Sequence, residues 1–157
     1  RDWSSDVCSS DLTLTNDKVR LTASSRSNPP VVSDYFPPLG DGEGYTGLEL
    51  LLMSLAVCSA TSILFLLRKQ GTTVSGFDVK ASGARRTQHP TSFEKIHLDF
   101  TLDSSDAEMA DLANAIASSE QMFCPVWAML KNSAEITTSH KIRTRQVRGS
   151  GTRNAPK

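Results

Sequence analysis

The sequence has little that would tie a fold together covalently: three cysteines in 157 residues, none in a C-x-x-C pair. A disulfide scaffold is excluded, and the thiols point to a reducing compartment and to chemical rather than structural use. Neither charge is in surplus. Seventeen Lys and Arg balance seventeen Asp and Glu, so no global basic field exists to draw in nucleic acid or acidic lipid. Nine Gly and seven Pro exclude a collagenous or low-complexity chain. The 38% apolar and 22% charged residues that are present supply the core of one domain in a length too short for two large ones.

The two ends do not belong to that domain by pattern. Residues 1–12 (RDWSSDVCSSDL) show neither helical nor strand period. The string resembles the read-through translation of a sequencing-library adapter, so it is read as an artefactual or disordered leader in front of a truncated natural sequence, and Cys8 drops out with it. Residues 143–157 (RTRQVRGSGTRNAPK) carry five positive charges and almost nothing apolar, and read as a disordered basic tail. Residues 13–142 hold eleven Lys and Arg against fourteen Asp and Glu. The domain proper is mildly acidic.

Within it, residues 18–24 (KVRLTAS) and 31–35 read as short strands separated by the turn residues Asn28, Pro29 and Pro30. Residues 36–44 (FPPLGDGEG) form a loop, because their prolines and glycines continue neither ladder nor helix. Thr46 and Glu49 then match the capping box S/T-x-x-E, which starts a helix over residues 47–70. After a stop at Gly71, residues 74–81 and 93–102 read as strands, the second with strict apolar and polar alternation from Ile96 to Leu102. Residues 105–108 (SDAE) offer a second capping box, followed by Met109, Leu112, Ala113 and Ile116 at helical spacing. A short helix starts at Cys124-Pro125, with proline at the favoured first position, and residues 134–142 close as a strand. The class is α+β.

The long helix is the most informative segment. Fifteen of the twenty residues from Leu48 to Leu67 are apolar, nearly all round, so it either lies at a protein centre or crosses a bilayer. Glu49, the cluster Ser54, Ser59, Thr61 and Ser62, and the sheet-forming sequence downstream argue against a membrane span. A chain this short rarely hides such a helix alone, which predicts burial in a homodimer interface.

Two thiols stand in contrasting contexts. Cys58 lies mid-helix, where burial raises a thiol's pKa unless a cation or hydrogen-bond donor offsets it. Cys124 lies at a helix mouth, where unpaired amides favour a thiolate if the side chain is exposed. Packing as small core hydrophobes stays open for both. His89, His97 and His140 have no ligand spacing to either thiol, so neither a metal nor another cofactor is expected.

The run Glu49-Leu50-Leu51-Leu52-Met53-Ser54-Leu55-Ala56-Val57-Cys58, with Cys124-Pro125-Val126 far downstream, resembles the osmotically inducible protein C (OsmC) and organic hydroperoxide resistance family. The resemblance implies an OsmC-like fold, a long buried central helix packed against antiparallel sheets in an intertwined homodimer. It also implies a cytoplasmic, cofactor-free thiol peroxidase. Cys58 would attack the peroxide oxygen and become a sulfenic acid, Cys124 would condense with it as an intramolecular disulfide, and a dithiol reductant of lipoyl or other type would reset the pair. An apolar pocket of Leu51, Leu55, Phe123, Val126 and Trp127 would suit an alkyl or fatty-acid hydroperoxide, although plain core packing explains the same five residues.

Two departures from the family pattern bear on activation. The peroxidase branch has a carboxylate ten residues before the helix Cys, whereas here the acid is Glu49, nine before. Nine helical residues turn about 900°, which places Glu49 opposite Cys58 and favours capping as its role. The activating arginine of that branch lies in the first hairpin, where Arg20 is the first candidate and Arg26 the second. The alternative is a non-catalytic dimeric OsmC-like protein that binds an apolar small molecule.

Overall fold

A computed structural model of the chain describes residues 9–144. The leader up to residue 8, including Cys8, and the tail from residue 145 lie outside them. The chain divides into two compact units, Arg1–Leu51 and Leu52–Lys157.

In the first unit, three short strands form an antiparallel sheet in chain order: β1 (Asp11–Leu14), β2 (Leu21–Ser24) and β3 (Val31–Ser33). Asp11 and Leu12 pair with Ser24 and Ala23, so the end of the segment read as patternless joins a ladder. Four residues are too few for a period to register, and cross-strand partners supply what the local sequence does not. The β2–β3 turn holds Arg26 at φ 54°.

The loop after β3 is organised by a wholly buried carboxylate. Asp34 accepts the backbone N–H groups of Tyr35 at 2.8 Å, Asp41 at 3.1 Å and Glu43 at 3.2 Å, and Arg20 Nε lies 3.6 Å away. Burial pushes the Asp34 carboxyl upward, but the amides of Glu43, Tyr35 and Asp41 and the Arg20 charge outweigh it, and the net shift is below the ordinary value. Gly40 is required here because a Cβ would fall 2.1 Å from the Tyr35 carbonyl oxygen.

Helix α1 (Gly47–Lys69) starts where the capping box predicts. The Thr46 N–H donates to Glu49 Oε2 at 2.7 Å and the Glu49 N–H donates to Thr46 Oγ1 at 3.3 Å. It ends in a Schellman motif, with Thr72 N–H on the Leu67 carbonyl, Gly71 N–H on that of Arg68, and Gly71 at φ 86°. Only one stripe at four-residue spacing is buried: Leu55, Ser59, Ile63 and Leu67. Met53, Val57 and Phe65 are exposed. The described residues of the single chain thus cover one face of the helix. By length and composition alone α1 could cross a membrane.

The second unit adds a three-stranded sheet in chain order from β4 (Gly76–Arg85), β5 (Phe93–Asp103) and β6 (Glu135–Arg143). On β5, Ile96, Leu98, Phe100 and Leu102 face the core, as their alternation predicts. Strand β4 pairs antiparallel to β5, but β6 runs parallel to it. The expectation of purely antiparallel sheets is thus corrected: the helical connection from residue 104 to 134 carries the chain back to the end where β5 began, the crossover that a parallel neighbour demands. That connection is α2 (Met109–Ser118), a π-helical turn (Ser119–Phe123) and α3 (Pro125–Leu130). The α2 cap also differs from expectation. Glu108 is the N-cap and exchanges bonds with Asp111, three residues later than the Ser105 to Glu108 box. Ahead of it, Asp106 is held by Thr73 and Ser104.

The Asp34 clamp makes a testable statement about acid. A carboxylate with a lowered pKa stabilises above its ordinary 3.8 and loses its effect as pH falls through the lowered value. Amide protection at Asp41 and Glu43, followed by hydrogen exchange, is expected to persist to about pH 4 and collapse below it. In Asp34→Asn it should already be about tenfold weaker at pH 7; an unchanged variant would contradict the clamp.

Candidate active site

Helix α1 is capped at both ends and carries Cys58 at its middle. The π-helical turn delivers Cys124 to the N-cap position of α3, with the Cys124 N–H on the Ser119 carbonyl at 2.9 Å. The extra residue of a π turn rotates the downstream chain relative to a plain α-helix, and proline at the next position stops α2 from simply continuing. The result is that two thiols far apart in sequence are brought close together. Ser59, next to Cys58, lies 3.6 Å from Cys124 Sγ, and the Cys58 thiol feels both the Cys124 side chain and the Val126 amide. Both cysteines are free thiols.

Their surroundings differ. Cys124 is 2% exposed, and its Sγ accepts the Trp127 N–H at 3.3 Å and lies 3.6 Å from Ser59 Oγ. It is thus at a helix mouth but not in solvent, so the exposure that the sequence reading made a condition is absent. Cys58 is half-buried. Burial pushes its thiol up, the neighbouring Cys124 side chain pushes it further, and the Val126 amide opposes them only in part. At neutral pH Cys58 is a thiol.

Three serines complete the contact. Ser59 is wholly buried beside Cys58 in the chain. Ser62 bonds the Cys58 and Ser59 carbonyls at 3.1 and 3.0 Å and meets Ser119 Oγ at 2.6 Å. Ser119, itself buried, carries the carbonyl that receives the Cys124 amide. In the bare sequence Ser59 and Ser62 count only against a membrane span. Their signal is positional: hydroxyls next to Cys58 and four residues on, the spacing that stacks side chains on one helix face.

The remaining predicted site residues are engaged elsewhere. Arg20 pairs with Asp41 at 3.0 Å and with Glu43, beside Asp34. Arg26 is exposed in its turn. Glu49 bonds both the amide and the hydroxyl of Thr46, which hold its carboxyl below the usual range; it is a cap. Leu55 and Trp127 are wholly buried core residues, Leu51 and Val126 are half-buried, and Phe123 is exposed. His97 lies on the sheet with Thr137 Oγ1 at 2.8 Å and Ser139 Oγ at 2.9 Å. Among the described residues no cluster of three or more His, Cys, Asp or Glu could hold a metal.

The profile of the family described as "OsmC-like protein" matches residues 40–139, which span both thiols and all of α1. The chain belongs to the OsmC-like protein family. Protein YhfA of Escherichia coli K12 is 32% identical over 95 residues, covering 60% of this chain and 71% of that protein. A hypothetical protein from Aquifex aeolicus VF5 superposes with a TM-score of 0.79 at 24% identity, over 89% of this chain and 98% of that one. A Legionella pneumophila protein described as an organic hydroperoxide resistance protein OsmC and predicted redox protein shares the fold, with a TM-score of 0.65 at 9% identity over 86% and 96% of the two chains. The OsmC-like fold, α+β with a long helix and two small sheets, thus agrees with what the Cys58 and Cys124 segments led one to expect.

The raised Cys58 thiol fixes a pH dependence. Iodoacetamide labelling of Cys58, followed peptide by peptide, should be slow at pH 7, climb about tenfold per pH unit, and not level off until above the ordinary 9.0. Cys124→Ala, which removes one of the groups raising it, should move the curve to lower pH. A plateau at or below pH 8 in the wild type would contradict the burial argument.

Proposed function

We propose that this OsmC-like chain is a thiol-dependent reductase of organic hydroperoxides, with Cys58 as the attacking thiol and Cys124 as the resolving one. The observation that carries the reading is the meeting of the two cysteine segments, where Ser59, next to Cys58 in the chain, lies 3.6 Å from Cys124 Sγ. The redox description of the Legionella relative supports the same class. In the first step the Cys58 sulfur displaces ROH from ROOH and becomes a sulfenic acid. In the second, Cys124 attacks that sulfur, an S–S bond forms, the S–O bond breaks, and the Cys124 proton leaves with the hydroxyl as water. A dithiol, lipoyl or other, then takes the disulfide back to two thiols and is itself oxidised. These steps call on no metal or cofactor.

Burial favours a substrate with an apolar R group, an alkyl or fatty-acid chain, over hydrogen peroxide, and a cytoplasmic setting would keep the thiols reduced between turnovers. The exposed apolar side chains of α1, Met53, Val57 and Phe65, support a homodimer, in which a second copy covers them. The raised Cys58 thiol means that the first step accelerates with pH, because the thiolate is the nucleophile.

A second reading has a specific observation in its favour. Arg20 is committed to acidic partners and Cys58 is held protonated, which suits a non-catalytic dimer that binds an apolar small molecule.

Mixing reduced protein with cumene hydroperoxide and counting thiols separates the two. Peroxidase chemistry predicts thiol loss at least about tenfold faster than in Cys58→Ser, and faster still at pH 9 than at pH 7. No excess over the variant, together with equal affinity for an apolar dye in wild type and Cys58→Ser/Cys124→Ser, would overturn the peroxidase in favour of the binding protein.

A further inference from the structure

We infer that Ser59 is a positioning residue for the second sulfur: its buried hydroxyl aims the Cys124 Sγ at whatever oxidised group Cys58 carries, and so sets the rate at which the disulfide closes. The inference rests on the reading of Cys58 and Cys124 as a working pair.

Four observations converge on it. Ser59 is wholly buried in a helix whose other buried residues, Leu55, Ile63 and Leu67, are apolar, and a hydroxyl there needs a partner to offset its desolvation. The partner is Cys124 Sγ at 3.6 Å, within the longer reach of sulfur. The other group on that sulfur is the Trp127 N–H at 3.3 Å, so an amide and a hydroxyl bracket it. Finally, Ser59 is the immediate neighbour of Cys58, so the residue that holds the second sulfur is fixed to the backbone that carries the first.

The neighbouring serines do a different task. The Ser62–Ser119 pair at 2.6 Å and the Ser119 carbonyl on the Cys124 amide anchor the backbone of the π-helical turn. Ser59 alone among them touches a sulfur. In closure, Cys124 must lose its proton as it attacks the Cys58 sulfur, and a hydroxyl able to donate to the sulfur as negative charge develops stabilises that step. The bond formed is S–S and the bond broken joins the Cys58 sulfur to its leaving group; the Cys124 proton leaves with a hydroxyl as water, or passes to solvent when the group is thionitrobenzoate, which departs as the thiolate.

The test needs no peroxide. In the 157-residue chain carrying Cys8→Ser, 5,5′-dithiobis(2-nitrobenzoate) forms a mixed disulfide at Cys58 and releases one thionitrobenzoate; attack by Cys124 then releases a second. In Ser59→Ala the second release should be about tenfold slower relative to the first, and its pH profile should move to higher pH. Ser59→Thr, which keeps the hydroxyl, should hold the wild-type pH profile even if its added methyl slows both phases. An unshifted profile in Ser59→Ala, or a uniform slowing at every pH, would overturn the assignment. A parallel arm with cumene hydroperoxide should give more Cys58 sulfinic acid in Ser59→Ala than in wild type, because slow closure leaves the sulfenic acid exposed to a second peroxide. If peroxide oxidises neither protein while the second thionitrobenzoate phase still depends on Ser59, the peroxidase reading falls and the positioning role stands.

Discussion

The second unit depends on one junction, where the middle of an apolar helix meets the first turn of a short one. A sulfur on each side, an amide on each sulfur, and three buried or half-buried serines make a polar seam inside apolar packing. Such a seam is costly unless every member is paired, and here the pairing runs continuously from the Cys58 carbonyl through Ser62 and Ser119 to the Cys124 amide. The surrounding elements hold it. The sheet and α2 supply the core, and the π-helical turn converts the end of α2 into the N-cap of α3 without a flexible loop between them.

The chemistry that such a junction supports is a compromise. The partial burial that raises the Cys58 thiol opposes its activation, while a second thiol nearby would, in the proposed reaction, offer a way out of an oxidised state before it becomes irreversible. In the peroxidase reaction proposed above, resolution would be prearranged and activation would not. The first unit spends its charges internally: Arg20 closes an acidic loop around Asp34, Asp41 and Glu43, and Glu49 caps a helix. Features that in a peroxidase branch would tune the thiol here stabilise local structure.

Much of this is legible in the amino-acid order, and the limits have physical causes. Helix α1 announces itself through the Thr46 to Glu49 box and Gly71, because caps act within one turn and need no tertiary partner. The alternation on β5 is equally plain. The direction of β6 is not, because a strand's pattern is the same read parallel or antiparallel. The true α2 cap is hidden because Glu108 and Asp111 exchange the bonds of a capping box without the Ser or Thr that the pattern looks for. Strand β1 is hidden because four residues carry too little period. The two cysteines stand out by context, yet their meeting follows only from a family likeness, since nothing in spacing predicts it. The serines are visible but easily misvalued: a hydroxyl on an apolar helix face looks like a blemish, when its place beside Cys58 marks the seam.

The most direct test is where the oxidation goes. After one equivalent of an organic hydroperoxide, proteolysis without reductant and tandem mass spectrometry should recover a single cross-linked species joining the peptide with Cys58 to the peptide with Cys124 of the same chain, abolished by dithiothreitol. Recovery of Cys58 only as sulfinic or sulfonic acid, with Cys124 still a free thiol, would contradict the pairing of the two sulfurs.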